Sequence, residues 1–83
     1  MFALRIVALE PGDERAYVEA EWRDALVMVG RGEIELRGAG GSRRRFARGD
    51  LLWLDGVPLR ALHNPGGEPA VLLAFSRANT LPV

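Results

Sequence analysis

The side chains that could do chemistry in this chain are few and lie in two short stretches. Glu19 and Glu21 stand two residues apart, and Arg60 stands three residues before the only histidine, His63. An imidazole with two carboxylates can hold a divalent metal, whereas a guanidinium can hold a carboxylate or a phosphate by two hydrogen bonds. We therefore take Arg60, Glu19, Glu21 and His63 as candidate ligand-binding residues. We assign no catalytic residue and no metal ligand.

The composition excludes several other functions. The 83 residues include no cysteine, which excludes disulfides and thiolate metal sites. Eleven arginines balance eleven acidic residues, so the net charge favours neither nucleic acid nor an anionic membrane as a partner. No apolar run approaches the ~20 residues of a membrane span, and the first residues do not resemble a signal peptide. We expect one cytoplasmic domain without nucleic acid or membrane partners.

The elements that must position these residues are short strands separated by glycine and proline turns. Gly30-Arg31-Gly32 predicts a tight hairpin, since glycine adopts positive φ easily. Short strands at intervals of ~8–12 residues indicate a sandwich or barrel rather than alternating strands and helices. Strands are predicted over residues 2–9, 17–22, 25–29, 33–36, 43–47, 51–54, 59–63 and 70–75.

Residues 49–64, GDLLWLDGVPLRALHN, resemble the second conserved motif of the cupin family of small β-barrels. The shared features are a Gly-Asp start, four apolar residues, a Gly-x-Pro turn and an asparagine before a Pro-Gly-Gly loop. Upstream, EPGDE and VMVGRGEIEL resemble the surroundings of the first motif. The resemblance covers about residues 9–76. It implies an all-β fold, a small cupin-like antiparallel β-barrel of jelly-roll type, over residues 1–83.

The chain departs from the family at its first metal-binding motif. Cupin enzymes usually hold iron, manganese, nickel or zinc with three histidines and one glutamate. Taking Gly32 as the glycine of the first motif puts Ala25 in the glutamate position. The His-x-His pair then maps either to Glu19 and Glu21 or to Val18 and Ala20. We therefore expect no metal cofactor.

A rebuilt divalent-metal site of Glu19, Glu21 and His63 is the alternative to this expectation. Against it, Val18, Ala20 and Trp22 form a good inward-facing stripe for a strand, which leaves the two glutamates in solvent. Buried carboxylates are costly unless they are paired. The core interpretation is the one that we favour.

The second motif leaves the orientation of its strand open. Counted without a gap, Arg60 takes the position of the family's histidine, and His63 faces outward as a surface or loop-anchoring residue that bonds the turn at 65–67. With a one-residue deletion, Leu59, Ala61 and His63 face inward instead. The first count keeps the asparagine spacing, and we favour it.

An inward Arg60 would place a fixed positive charge where the family places its metal. Its planar guanidinium suits a carboxylate or a phosphate. The alternative is an ion pair of Arg60 with Glu19, Glu21 or Asp24 that serves the structure alone. These two interpretations stay open at this point.

Three apolar stretches, at residues 26–29, 51–54 and 71–75, are apolar on both faces of the predicted strands. Because monomers seldom expose large contiguous apolar patches, we expect a homodimer. The alternative is that the end of the chain folds over the same surface.

Arg43 and Arg45 share one face of their strand, and Arg44 shares the other with Phe46, as in a charged edge strand that discourages aggregation.

Three functions are compatible with the cupin-like fold and these candidate residues. The first is a non-catalytic binding or sensory module that holds a small polar or anionic ligand in the barrel, with Arg60 as the key group. The second is a metal-dependent isomerase or dioxygenase, by analogy with the family, with a degenerate site. The third is a structural dimer that acts through protein contacts. The fold alone does not choose among them.

Overall fold

Eight strands form two antiparallel sheets, seen in a computed structural model that describes residues 2–77. The first sheet has the strand order β1-β8-β3-β6, and the second has the order β2-β7-β4-β5. A four-residue helix, α1, lies between β2 and β3. The elements are β1 Phe2–Leu9, β2 Glu14–Ala16, α1 Glu19–Trp22, β3 Ala25–Arg31, β4 Glu33–Gly38, β5 Arg43–Ala47, β6 Leu51–Trp53, β7 Leu59–His63 and β8 Ala70–Arg77.

The core lies between the two sheets and is built from alternate residues of each strand. Val27 and Leu72 enter it from the first sheet, and Ile34 and Leu62 enter it from the second, each almost fully buried. Successive side chains of a strand point to opposite faces, so each strand supplies every second residue to the core. This arrangement confirms the all-β prediction. No helix in residues 2–77 is long and apolar enough to cross a membrane.

The two sheets are not closed into a barrel. Within residues 2–77, β5 of the second sheet and β6 of the first sheet each pair with one neighbour only, so both are sheet edges. The interior is therefore open along the gap between β5 and β6. This gap replaces the closed wall of the predicted barrel.

The predicted strand over 17–22 is wrong, because residues Glu19–Trp22 form α1. Trp22 is fully buried there, and Asp24 takes a positive φ of 55° that turns the chain into β3. This changes the hypothesis of a metal site at Glu19, Glu21 and His63, since the two glutamates lie on a helical turn and not on one face of a strand. Strand β2, at Glu14–Ala16, was not predicted.

The predicted hairpin at Gly30-Arg31-Gly32 is also wrong. Strands β3 and β4 flank Gly32 but belong to different sheets, so the chain crosses here from one sheet to the other. Gly32 has φ of +72°, and a Cβ atom on it would lie 2.7 Å from the carbonyl oxygen of Pro69. Both the close approach to Pro69 and the positive φ therefore require glycine at position 32.

Candidate functional site

The gap between β5 and β6 opens into an apolar cleft, called here the open cleft. Its volume is about 280 Å³, near the ~300 Å³ lower end of ligand sites. Leu36 and Phe46 of the second sheet face Leu52 of the first sheet across it, because all three point to the inner side of their strands. The remaining lining residues are Gly38, Ser42, Arg44, Leu51, Trp53, Leu54, Val57, Pro58 and Leu59.

Among residues 2–77, Arg44 is the only charged residue that lines the open cleft. It lies opposite Leu36 in the ladder of β4 and β5, and its guanidinium lies 5.9 Å from the centre of the Phe46 ring. Within residues 2–77, no carboxylate lies within ion-pairing distance of Arg44. The cleft thus combines apolar walls with one cation at its mouth. The predicted separation of Arg44 and Phe46 from Arg43 and Arg45 is confirmed by the register of β5.

Arg60 does not point into the interior. Its side chain is 60% exposed, and its Nη1 atom lies 3.9 Å from Oε1 of Glu14. The cause is an irregularity in the pairing of β7 with β4, where Ala61 pairs with Arg37 but Leu59 pairs with Gly38. Arg60 is the extra residue of this bulge and has no register partner on β4, although its carbonyl oxygen accepts a hydrogen bond from the Tyr17 amide.

Because of the bulge, the side chains of β7 agree in part with the ungapped alignment to the family motif and in part with the gapped one. Leu62 and Asn64 are fully buried, as the ungapped count predicts, and His63 lies on the outer face. Leu59 packs against the core, as the gapped count predicts. The inward Arg60 of the first count is therefore corrected, because the bulge turns the strand between Leu59 and Ala61.

His63 lies on the outer face of the second sheet, opposite Glu14 on one neighbouring strand and Glu35 on the other. Its Nδ1 atom is 3.2 Å from the carbonyl oxygen of Asp13, in the turn between β1 and β2. The expected anchoring of the turn at 65–67 is done by Asn64 instead, whose Oδ1 accepts a hydrogen bond from the Gly66 amide. His63 is thus a surface residue whose ring contacts a neighbouring turn.

Glu21 joins the two sheets at the end where α1 lies. Its carboxylate accepts a hydrogen bond of 2.6 Å from Arg15 of β2, and its carbonyl oxygen accepts one from Arg5 of β1. The Arg5 guanidinium also lies 4.9 Å from the centre of the Trp22 ring. Glu19 is exposed, and its one ion pair within residues 2–77 is with Arg23, at 3.5 Å. Alternation in β1 could have revealed Arg5, which shares its face with Val7 and Leu9.

The residues present do not fit the metal centre that cupin enzymes usually have. Glu21 pairs with arginines, Glu19 pairs with Arg23, and His63 contacts the carbonyl oxygen of Asp13. The three candidate metal ligands therefore each have a different partner. Within residues 2–77, no three acidic or histidine side chains form a group that could hold a metal ion. Ala25, in the family's glutamate position, is a buried residue of the core.

The outer face of the second sheet carries a network of opposite charges. Glu35 accepts a hydrogen bond of 2.9 Å from Nε of Arg37, whose Nη1 donates to Glu14 at 2.8 Å. The hydrogen bond from Arg37 is the main cause that lowers the pKa of Glu35 below its ordinary value, although burial acts in the opposite direction. Glu35 also raises the pKa of Arg37. This face is occupied by ion pairs.

A second depression, of about 670 Å³, lies among the loops near Gly32. Arg31 and Arg48 line it together with Glu33 and Glu68, and glycine backbone forms much of the rest. Charges of both signs around an open basin do not select a ligand of one charge. The open cleft is therefore the better defined site.

The fold and the open cleft define a small all-β protein with an interior accessible between two sheet edges. No protein-family profile and no curated protein matches the chain. Solved structures do match it, and cupins are among them. The cupin domain of Cnp3 from Schizosaccharomyces pombe superposes with a TM-score of 0.69 at 18% identity, over 95% of this chain and 54% of that one.

Two further matches are bacterial. A sugar phosphate isomerase of the cupin superfamily from Silicibacter pomeroyi has a TM-score of 0.62 at 27% identity, over 93% of this chain and 51% of that one. A Cupin 2 conserved barrel domain protein from Salinispora arenicola has a TM-score of 0.64 at 21% identity, over 93% and 64%. The chain thus spans between 51% and 64% of the length of these proteins. It has a cupin-type fold, as the motif resemblance implies.

Proposed function

We propose that this protein is a non-catalytic binding module that holds a small anionic molecule with an apolar body in the open cleft. The observation that carries the proposal is Arg44, a cation without a carboxylate partner in residues 2–77, at the mouth of an apolar cleft. Arg44 is exposed, so its guanidinium is accessible to an anion from solution, and the apolar walls beside it can contact the hydrocarbon body of the same molecule. A carboxylate on an aliphatic or aromatic body is the matching ligand.

Arg44 replaces Arg60 as the key cation of this proposal. Arg60 lies beside Glu14 on the outside of the second sheet and lines neither of the two depressions. Glu19, Glu21 and His63 do not line them either. The ligand class that we expected from sequence is kept, while its position moves from β7 to β5.

The absence of a catalytic role is proposed from the chemistry of the cleft walls. In the part of the chain that the structure describes, the lining residues include one hydroxyl group, that of Ser42, and no histidine, aspartate or glutamate that could act as a general base. A bound molecule would meet mainly hydrocarbon. We propose the cytoplasm as the location, since a chain without cysteine fits a reducing compartment.

The test uses octanoate and phenylacetate as probes, with octanamide and phenylacetamide as neutral counterparts. Binding is followed by thermal stabilisation and by the fluorescence of Trp53, which lines the cleft and is 53% exposed. A ligand that binds only the folded state raises the melting temperature with concentration. We expect the carboxylates to stabilise the protein and the amides to do so much less.

Arg44→Met is the decisive variant, and Arg43→Met is its matched control. Arg43 is the neighbouring residue of the same edge strand, but it lies on the outer face opposite Arg37. We expect Arg44→Met to remove most of the stabilisation by carboxylates, while Arg43→Met keeps it. Equal responses of the two variants, or no response of the unmodified protein to either carboxylate, would refute the proposal.

A further inference from the structure

The outer face of the first sheet is apolar across all four of its strands. Two neighbouring rows of side chains run from one sheet edge to the other, and the register of the strands places their members side by side. No charged residue interrupts either row. The first row is Leu4, Phe75, Leu26 and Trp53, and the second is Ile6, Leu73, Met28 and Leu51.

Six of these eight side chains are exposed, whereas Leu73 and Met28 in the middle of the second row are partly buried. Ile6 is 63% exposed and Leu51 61%, and Phe2 at the end of β1 reaches 76%. Large contiguous apolar patches of this kind mark interaction sites more often than plain surface. We call this surface, made of the two rows and Phe2, the apolar face.

The outer face of the second sheet is different in kind. There Glu33, Glu35 and Arg37 of β4 lie opposite Ala47, Arg45 and Arg43 of β5. The second sheet therefore carries charges across the middle of its outer face, whereas on the first sheet the charged residues Arg77 and Arg31 lie beside Phe2 and Val71, outside the two rows.

We propose that a second copy of this chain covers the apolar face, so that two first sheets pack against each other in a symmetric homodimer. Two copies of one twisted sheet have matching curvature, and aligned sheets pack face to face at a separation of ~10 Å. A two-fold axis brings the same surface of each copy together. Because the rows carry no charge, nothing in them repels their own copy.

The area of the apolar face is that of a small interface. Four strands ~4.8 Å apart and two rows of side chains, each taking ~7 Å along the strands, give a projected face of roughly 19 Å by 14 Å. Two such faces cover on the order of 500 Å² in projection, and more in accessible surface, because the side chains protrude. A specific interface needs about 1,000 Å² in total, so the predicted dimer is small and should dissociate on dilution.

Residues 78–83 are too few to do the same. Six extended residues reach at most ~20 Å and cover the width of one strand, ~5 Å. The apolar face is four strands wide. A contact from those six residues would leave most of both rows in water.

The test is the mass of the full chain in solution, measured by sedimentation velocity over a wide dilution series. We expect a dimer at high concentration and a monomer at low concentration. Ile6→Glu should raise the dissociation constant at least about tenfold, since an unpaired charge would be buried at the interface. Ile6 lies on the edge strand β1 and does not line the open cleft, whereas Leu51 and Trp53 belong to both surfaces. Carboxylate binding by Ile6→Glu is therefore compared with that of the unmodified protein at dilutions where both are monomers, and should be equal there.

Ala16→Glu is the matched control, because it adds the same charge at an exposed position on an edge strand of the second sheet. This variant should dimerise like the unmodified protein. Should Ile6→Glu not fold, as judged by circular dichroism, Leu4→Glu tests the same face from the other row. A protein that stays monomeric at all concentrations, or a dimer unaffected by both variants, would overturn the proposal.

Crosslinking gives a second measurement that does not depend on a destabilising charge. The chain has no cysteine, so Leu26→Cys introduces a unique thiol near the middle of the apolar face, and Ala16→Cys introduces one away from it. A short bismaleimide should join two copies of the first variant and not of the second. Binding to phosphatidylcholine vesicles by a monomer, lost in Ile6→Glu, would show a lipid surface as the partner instead and would also overturn the proposal.

Discussion

Asn64 at the end of β7 donates a hydrogen bond of 3.0 Å to the carbonyl oxygen of Leu9 at the end of β1, and so joins the two sheets. The same amide group donates to the carbonyl oxygen of Glu68 at 2.8 Å, and its oxygen accepts from the Gly66 amide. Asn64 is fully buried. One side chain thus fixes both the loop after β7 and the contact between the sheets.

Asn64→Ala should destabilise the protein by about 2 kcal/mol or more, because buried backbone groups lose their partners at ~1–3 kcal/mol each. Urea unfolding followed by circular dichroism measures the change. His63→Ala is the matched control, since the neighbouring side chain is partly exposed and makes one contact to a turn. A loss of stability that is no larger in Asn64→Ala than in His63→Ala would contradict this role of Asn64.

Gly32→Ala should destabilise the protein more than Gly49→Ala does. Both glycines have positive φ, but a Cβ atom on Gly32 would lie 2.7 Å from the Pro69 carbonyl oxygen, whereas one on Gly49 would meet no atom within 4 Å. The φ penalty of about 1 kcal/mol applies to both positions, and the clash adds to it only at Gly32. Thermal melts of the two variants, compared side by side, measure the difference. Equal melting temperatures would mean that the crossing at Gly32 tolerates a side chain.

Glu35 should make the stability of the protein depend on pH in the acid range. Its pKa in the folded protein is lowered, chiefly by the hydrogen bond from Arg37. A lowered pKa means that the stabilisation is present above the unfolded value of about 4.5 and is lost as the pH falls through the folded value. Melting temperatures of the unmodified protein and Glu35→Gln should therefore differ at neutral pH and converge in acid.

Glu33→Gln is the control for this pH dependence, because Glu33 lies on the same strand and the same face but is half-exposed, 3.9 Å from Arg45. Exposed ion pairs contribute ~1 kcal/mol at most, so this variant should follow the unmodified protein at every pH. If Glu35→Gln also follows the unmodified protein, the pair with Arg37 does not stabilise the fold.

The strands could be predicted from sequence where alternation and turn residues agree. The predicted bounds of β1 and β5 are confirmed, and the separation of Arg44 from Arg43 and Arg45 follows from the two-residue period of a strand. Helix α1 could not be predicted in this way, because four residues are only about one helical turn and show no helical period. Trp22 is buried, as the core interpretation of this stretch expected, but it reaches the core from a helix. Val18 and Ala20, which the same interpretation placed in the core, are exposed, because the residues of a helical turn do not share one face as alternate residues of a strand do.

The candidate site was harder to predict because it depends on which strands lie at sheet edges. The open cleft exists because β5 and β6 lack a partner on one side, and pairing partners cannot be read from the composition of either strand. Arg44 was placed on the correct face, yet nothing local indicates that this face opens to solvent. Arg60 was placed inward because a bulge depends on the register between β7 and β4, which separate stretches of sequence set together.

The sequence by itself determined the fold type, most of the turns and the faces of most strands, since these depend on neighbouring residues and their period. It did not determine the crossing at Gly32, which it predicted as a hairpin. It also determined the absence of the usual histidine ligands, because a missing residue type needs no structure to be seen. Only the tertiary structure decided that Arg44 lines the cleft, that Arg60 pairs with Glu14, and that two apolar rows meet on one face. Each of these depends on contacts between residues far apart in the chain, which local patterns do not encode.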